Sequence, residues 1–260
     1  MDEAVNMERI GIIAAMSQER DACLRFIKKG KRSFLGPFRC DHFRLVDRDC
    51  RLLTSGMGLK RAAQATRTLI EAFRPQLLVS MGVAGAVSAE LKIGDVVASR
   101  NTCLLDKGLP THFQPLALLS DAAWQAAVQA LQPRGARLFS GTAVTTRGSQ
   151  FVQNQAEELT NPVFEMETVG IARIAAERGV PLLSLRAISD GPQEPIPFDL
   201  EGMMDEDANL RMGKLFKAII AYPRIIPQLL RMGWNTTKAA ENAAIALIAA
   251  LCQLGPIISQ

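Results

Sequence analysis

The run Pro181-Leu182-Leu183-Ser184-Leu185-Arg186-Ala187-Ile188-Ser189-Asp190 opens apolar and stops abruptly at Gly191-Pro192. A short, mostly aliphatic run bounded by turn residues has the pattern of a strand buried on both faces. In an open α/β sheet, ligands bind in the crevice beyond the carboxyl ends of the strands, so Asp190 stands where a carboxylate would meet a pocket. Taken by itself Asp190 reads first as a cap of the Gly-Pro turn, because Asp side chains bond to nearby backbone in turns. The rest of the chain decides between the two.

Working outward, residues 9–15 read as a first buried strand leading to a helix over 18–29, with Ser17 as its N-cap. Residues 34–54 read as a β-meander, and Ser55-Gly56-Met57-Gly58 as a glycine turn into a helix over 59–73. A strand over 77–81 closes on a glycine-rich loop, Gly82-Val83-Ala84-Gly85. A strand over 95–99 precedes a long connection through Pro110 and Pro115. A helix over 121–131 follows, capped by Ser120 or Asp121, then a strand over 137–145 and a short helical piece over 155–159. Residues 162–165 form a strand that runs into a helix over 167–178. From 203 to 254 the pattern is helical, with breaks expected at Pro223, Pro227 and Gly233. Alternating strands and helices predict an α/β fold: three layers, a mixed, mostly parallel twisted sheet flanked by helices on both faces, and a helical C-terminal extension. The expected organisation is a tail over 1–8, an α/β domain over 9–222 and a helical extension over 223–260 packed on it.

Of 260 residues, 48% are apolar and 22% charged, which fits a globular protein with a full core. The net charge of +4 is spread along the chain. Its one dense basic run, Lys28-Lys29-Gly30-Lys31-Arg32, is short and has no aromatic neighbours, so nucleic acid is not an expected partner. Five cysteines without a Cys-x-x-Cys pair, and only His42 and His112, predict neither a metal site nor a disulfide framework. Residues 1–8 are acidic and carry no apolar stretch of a secretory signal, so the cytoplasm is the expected compartment.

Three carboxylates follow three predicted strands: Glu19 after the first, Glu167 after 162–165, and Asp190 at the end of the run quoted above. If those strands are neighbours, the acids rim one crevice beside Gly82 and Val83. Carboxylates gathered without a metal have their proton affinities driven apart, leaving one as acid and another as base. Each also has a plainer reading. Glu19 and Glu167 would suit the first turn of a helix, Met166 would suit a core, and the glycine stretch an ordinary turn.

Several ordered motifs together resemble the methylthioadenosine/S-adenosylhomocysteine nucleosidases of the nucleoside phosphorylase/nucleosidase superfamily. They are Ile10-Gly11-Ile12-Ile13-Ala14-Ala15-Met16 with Glu19, Ser55-Gly56-Met57-Gly58, Gly82-Val83-Ala84-Gly85 with Leu91-Lys92-Ile93-Gly94-Asp95-Val96-Val97, Glu165-Met166-Glu167, and Arg186-Ala187-Ile188-Ser189-Asp190. The resemblance spans 9–198. It implies an enzyme without cofactor that splits the N-glycosidic bond of a small-molecule 5′-substituted adenosine, with water as co-substrate, and that works as a homodimer. Asp190 would protonate N7 of the purine and Glu19 would activate the water. Glu167 would hold the ribose hydroxyls, Met166 would pack beneath the sugar, and Arg186 would hold Glu19 or the water. Ser189, Gly82, Val83 and Phe198 would line the substrate, and Phe151 would stack on the base.

The chain also departs from that pattern. Ser80 and Val83 occupy the places where phosphorylases of the superfamily put an arginine and a Ser or Thr for phosphate, which favours hydrolysis over phosphorolysis. Arg147 stands where the relatives place an acid before the base-contacting aromatic. Val83 and the proline-broken tail resemble the hopanoid-associated branch, whose substrate is the lipophilic adenosylhopane. The plainer reading of the tail is a helix docked on the sheet or at a dimer interface. The sharper one is an apolar lip for a greasy 5′ substituent, in peripheral contact with a membrane. A purine nucleoside phosphorylase and a non-catalytic nucleoside-binding protein stay open as alternatives.

Overall fold

The structure, a computed structural model, describes residues 8–27, 30–146, 156, 158–191 and 226–254. At its centre four parallel strands lie side by side in the order β4 (Arg48–Thr54), β1 (Arg9–Ala14), β5 (Leu77–Ala86) and β10 (Leu182–Asp190). Beyond β4 the sheet continues antiparallel through β3 (Phe38–Leu45) and β2 (Lys31–Leu35), the meander expected from the sequence. Beyond β10 comes antiparallel β6 (Val96–Asp106), then β8 (Leu138–Thr145) parallel to it, then β9 (Pro162–Glu165). β9 returns to pair with β5, so β5, β10, β6, β8 and β9 close into a ring. Closure removes the open edge these strands would otherwise present.

Side-chain alternation assigns each strand's residues to the two faces. Ile10, Ile12, Val79, Met81, Leu183 and Leu185 join one buried cluster with α1 (Ser17–Arg25), α3 (Asp121–Leu131) and α5 (Ile226–Cys252). Their strand neighbours Ile13, Leu78 and Leu182 join the other, with α2 (Leu59–Phe73) and α4 (Thr168–Glu177). The mixed sheet covered by helices on both faces is therefore the one the alternating pattern predicted.

Four local expectations are corrected. Met16, not Ser17, is the N-cap of α1, because the Glu19 carboxylate folds back to accept the Met16 N–H (2.9 Å). The glycine-rich stretch 82–85 is not a loop: β5 runs through it to Ala86, since small residues there let neighbouring side chains cross the strand. The connection through Pro110 and Pro115 is a hairpin, with β7 (Leu109–Pro115) paired to an extended β6. Finally, α5 runs unbroken through Gly233, while the break expected at Pro223 lies outside the described residues. Gly233 costs only about 1 kcal/mol in a helix interior. For α3 the cap is Ser120, whose Oγ accepts the Ala123 N–H (3.3 Å).

α5 is part of the core. Ala239, Ala240, Ala243, Ala244, Leu247 and Leu251 form one buried stripe, and the small residues let the helix lie close to β10 and α3. Its last turn is held by Arg48 of β4, which donates to the carbonyls of Leu251 (2.7 Å) and Leu254 (2.6 Å). The Leu251 carbonyl is among those that a helix end leaves without an intrahelical partner.

Candidate active site

Gly82 and Gly85 of β5 organise the site through the side chains they lack. A Cβ on Gly82 would fall 2.5 Å from Glu19 Oε1 and at least as close to Arg186 Nη1. A Cβ on Gly85 would fall 2.6 Å from Asp190 Oδ2. The strand thus leaves two seats, at positions three residues apart. One holds Glu19 with Arg186, and the other holds Asp190.

Glu19 is 2% exposed. Its Oε2 accepts the Met16 N–H and its Oε1 accepts the Val83 N–H (both 2.9 Å), so the carboxylate ties α1 to β5. Burial pushes its pKa up, opposed by the Arg186 guanidinium and by these backbone N–H groups. Val83 contributes its backbone to Glu19, while its side chain packs against the core cluster shared with α5.

Arg186 is 2% exposed and reaches out of β10 into a polar knot. Its Nη2 donates to Ser80 Oγ (2.7 Å), Glu165 Oε2 (2.8 Å) and Thr168 Oγ1 (3.0 Å), and lies 3.9 Å from Glu167 Oε2. Glu165 is the carboxylate that neutralises it. Glu165 also accepts from the Thr145 hydroxyl and from the N–H groups of Glu167 (3.0 Å) and Thr168 (2.7 Å). Burial works against its charge, yet Arg186 and the two threonine hydroxyls hold its pKa below the usual carboxylate value. Glu167 takes the opposite course. Burial, followed by the charge of Glu165, pushes it up to about 7, although it accepts the Gly58 N–H (2.9 Å). Two acids two residues apart therefore differ in proton affinity because Arg186 serves one of them first.

Asp190 ends β10 opposite Gly85, after a register irregularity past Ile188. The Ser189 hydroxyl donates to Asp190 Oδ1 (2.6 Å), leaving Oδ2 on the Gly85 side. Met166 lies half-buried between Glu165 and Glu167, at the head of α4. The structure thus gathers Glu19, Gly82, Val83, Met166, Glu167, Arg186, Ser189 and Asp190 along the carboxyl ends of β1, β5, β9 and β10. Phe151 and Phe198 lie outside the described residues. The sequence gives no role to Glu165, Thr145 or Thr168, and marks Ser80 only as standing where a phosphate-binding arginine would be. A signal for Glu165 existed in its place two residues before Glu167 and three before the hydroxyl of Thr168. Nothing local marks Thr145, which arrives from another strand. Among the described residues no cluster of metal-ligating side chains is present.

The profile of the phosphorylase superfamily matches residues 9–221. A 5′-methylthioadenosine/S-adenosylhomocysteine nucleosidase of Actinobacillus succinogenes is 30% identical over 198 residues, covering 70% of this chain and 85% of that protein. The crystal structure of the corresponding nucleosidase of Neisseria meningitidis, in complex with methylthio-immucillin-A, superposes with a TM-score of 0.69 at 22% identity, covering 95% of this chain and all of the other. The native structure of a futalosine hydrolase of Helicobacter pylori gives 0.69 at 20% identity over 95% of this chain and 99% of the other.

Proposed function

The chain belongs to the phosphorylase superfamily and is an N-glycosidic bond hydrolase, and we propose that it releases adenine from a 5′-substituted adenosine with water as co-substrate. The observation that carries this reading is the pair of seats on β5, with Glu19 at Gly82 and Asp190 at Gly85. Each acid has partners of its own there, Glu19 the Met16 and Val83 N–H groups and Asp190 the Ser189 hydroxyl, so the two can take different roles.

In this mechanism Asp190 gives a proton to N7 of the purine. The C1′–N9 bond breaks with its electron pair on N9, so adenine leaves neutral instead of as a poor anionic leaving group. Water bonds to C1′ as positive charge develops on the sugar, and its proton passes to Glu19. Burial raises the proton affinity of Glu19, which strengthens it as the acceptor of that proton. Glu167 holds the ribose hydroxyls and Met166 lies beneath the sugar. Arg186, engaged by Glu165 and Ser80, fixes the charge balance around Glu19. That engagement also argues for water over phosphate, because Arg186 is already neutralised.

For the 5′ substituent, the named activity of the relatives favours the thioether nucleosides methylthioadenosine and S-adenosylhomocysteine. The two features that suggested adenosylhopane have another account: Val83 packs in the core, and α5 docks on the sheet. Among the described residues no helix is long and apolar enough to cross a membrane. A peripheral contact would fall at exposed Leu230 and Trp234, and the apolar surface of Leu109 and Phe113 on β7 suits a homodimer. A cytoplasmic setting completes the proposal.

The test is adenine release from adenosine, methylthioadenosine, S-adenosylhomocysteine and adenosylhopane, with and without phosphate. Release from the thioether nucleosides without phosphate is expected, falling about 10²- to 10⁴-fold in Asp190→Asn. Strict phosphate dependence would overturn hydrolysis, and undiminished release in Asp190→Asn would remove the acid. Turnover confined to adenosylhopane would restore the lipid substrate.

A further inference from the structure

One guanidinium stands among three buried carboxylates, and its bonds are unevenly placed. All three side-chain hydrogen bonds of Arg186 to described residues fall on Nη2, from Ser80, Glu165 and Thr168. Its Nε is buried without a partner, and its Nη1 bonds to no described residue. An arginine–carboxylate pair is strongest when two parallel N–H groups are used, so Arg186 keeps capacity for a second acid.

That second acid is within reach. Arg186 Nη1 and Glu19 Oε1 both lie within about 2.5 Å of the point that a Cβ on Gly82 would occupy, so they are no more than about 5 Å apart. Yet the ion pairs of Arg186 are with Glu165 (2.8 Å) and, more loosely, with Glu167 (3.9 Å). Glu165 is itself anchored. Its Oε2 also accepts the N–H groups of Glu167 and Thr168 and the Thr168 hydroxyl, and its Oε1 accepts the Thr145 hydroxyl. A carboxylate that accepts from so many donors stays charged and fixed, and the cation stays with it.

We propose that Glu165 is a positioning residue for the base: it holds Arg186 by Nη2 and takes up its charge, so that no ion pair competes for the oxygens with which Glu19 accepts the proton of the water. The role rests on the reading of Glu19 as that base. Glu19 is faced by Arg186 from β10 and by Glu167 from the head of α4. The other charged groups of α1 are paired, Arg20 with Asp21 and Asp41, and Arg25 with Glu241 of α5.

The test reads Glu19 directly, by NMR titration of the protein carrying carboxyl-labelled glutamate, with Glu19→Gln assigning the signal. Glu165→Gln keeps the size and an accepting oxygen but removes the charge. Arg186 then turns to Glu19, whose titration midpoint should fall by about one pH unit or more. Glu165→Asp keeps the charge and should hold the midpoint near the parent's, a distinction that a merely structural role would not make. The acid-side limb of kcat for adenine release should move with the midpoint. Thermal melts check folding. If Glu165→Gln does not fold, the double variant Glu165→Gln/Arg186→Met, which leaves no lone buried cation, takes its place. Its midpoint should stay close to the parent's, and a rise of about one unit or more would mean that Arg186 acts on Glu19 whatever Glu165 does. An unmoved midpoint in folded Glu165→Gln, or an equal fall in Glu165→Asp, overturns the proposal. If the midpoint falls as expected but the parent releases no adenine, the reaction assigned above is removed while the hold on Arg186 stands.

Discussion

Replacing Gly82 by Ala tests whether the site is built on a missing side chain. The new Cβ would lie 2.5 Å from Glu19 Oε1, where ordinary van der Waals contact begins near 3.4 Å, so something must move by about 1 Å. Neither neighbour yields cheaply. Glu19 is held by the N–H groups of Met16 and Val83, and Arg186 by Ser80, Glu165 and Thr168. Overpacking of this kind costs about 1–3 kcal/mol, and each charge-assisted hydrogen bond given up adds about 1.5–3 kcal/mol. A loss of about 3 kcal/mol lowers the melting temperature of a chain this long by about 6–12 °C. Displacing Glu19 by 1 Å should also lower adenine release about 10²-fold. Calorimetry and the adenine assay read the two effects on one preparation. Gly233→Ala is the matched control: nothing lies within 4 Å of its Cβ, and Ala is the better helix former, so it should gain about 0.5–1 kcal/mol. If Gly82→Ala melts within about 1 °C of the parent and keeps full activity, β5 does not seat Glu19 and Arg186 as described.

Other perturbations probe the same framework. Glu167 binds its proton more tightly folded than unfolded, because its pKa rises from 4.5 to about 7. Its contribution to stability is therefore fully present below the unfolded pKa and is lost as pH climbs through the folded one. Urea melts across that window should show the parent losing roughly 3 kcal/mol relative to Glu167→Gln, and a pH-independent difference would contradict the shift. Arg48→Ala removes two hydrogen bonds to the end of α5 and should cost about 1–3 kcal/mol, with faster amide exchange concentrated in 226–254. Unchanged exchange there would mean that the helix end is held by packing alone.

Much of this architecture could be read from the chain because the signals are local. The apolar runs at Ile10–Ala14, Leu77–Met81 and Leu182–Ile188 are buried on both faces, and a strand of that kind needs no partner to be recognised. The carboxylates at 19, 167 and 190 were legible as strand-end residues for the same reason. The misread parts depend on distant contacts. Gly82 and Gly85 suggest a loop until Glu19, Arg186 and Asp190 are seen to occupy the space beside them. Ser17 has a capping side chain, but Glu19 takes the bond at Met16. Gly233 suggests a break, yet packing of the alanine stripe outweighs a propensity cost of about 1 kcal/mol. Glu165 stayed hidden because its importance lies in Arg186, 21 residues away.

The clasp between Arg48 and the end of α5 also bears on the order in which the protein can be made. Its two halves are separated by 203 residues for Leu251 and 206 for Leu254. At ribosomal speeds of 5–20 residues per second, β4 waits about 10–40 s for its partner to be synthesised. From their own synthesis until that of α5, Val79 and Met81, and later Leu183 and Leu185, lack the alanine stripe that covers them in the finished core. The nascent chain therefore emerges with an uncovered apolar surface, a natural client for a ribosome-associated chaperone. Messages cut short within the α5 codons should yield insoluble fragments rather than smaller enzymes.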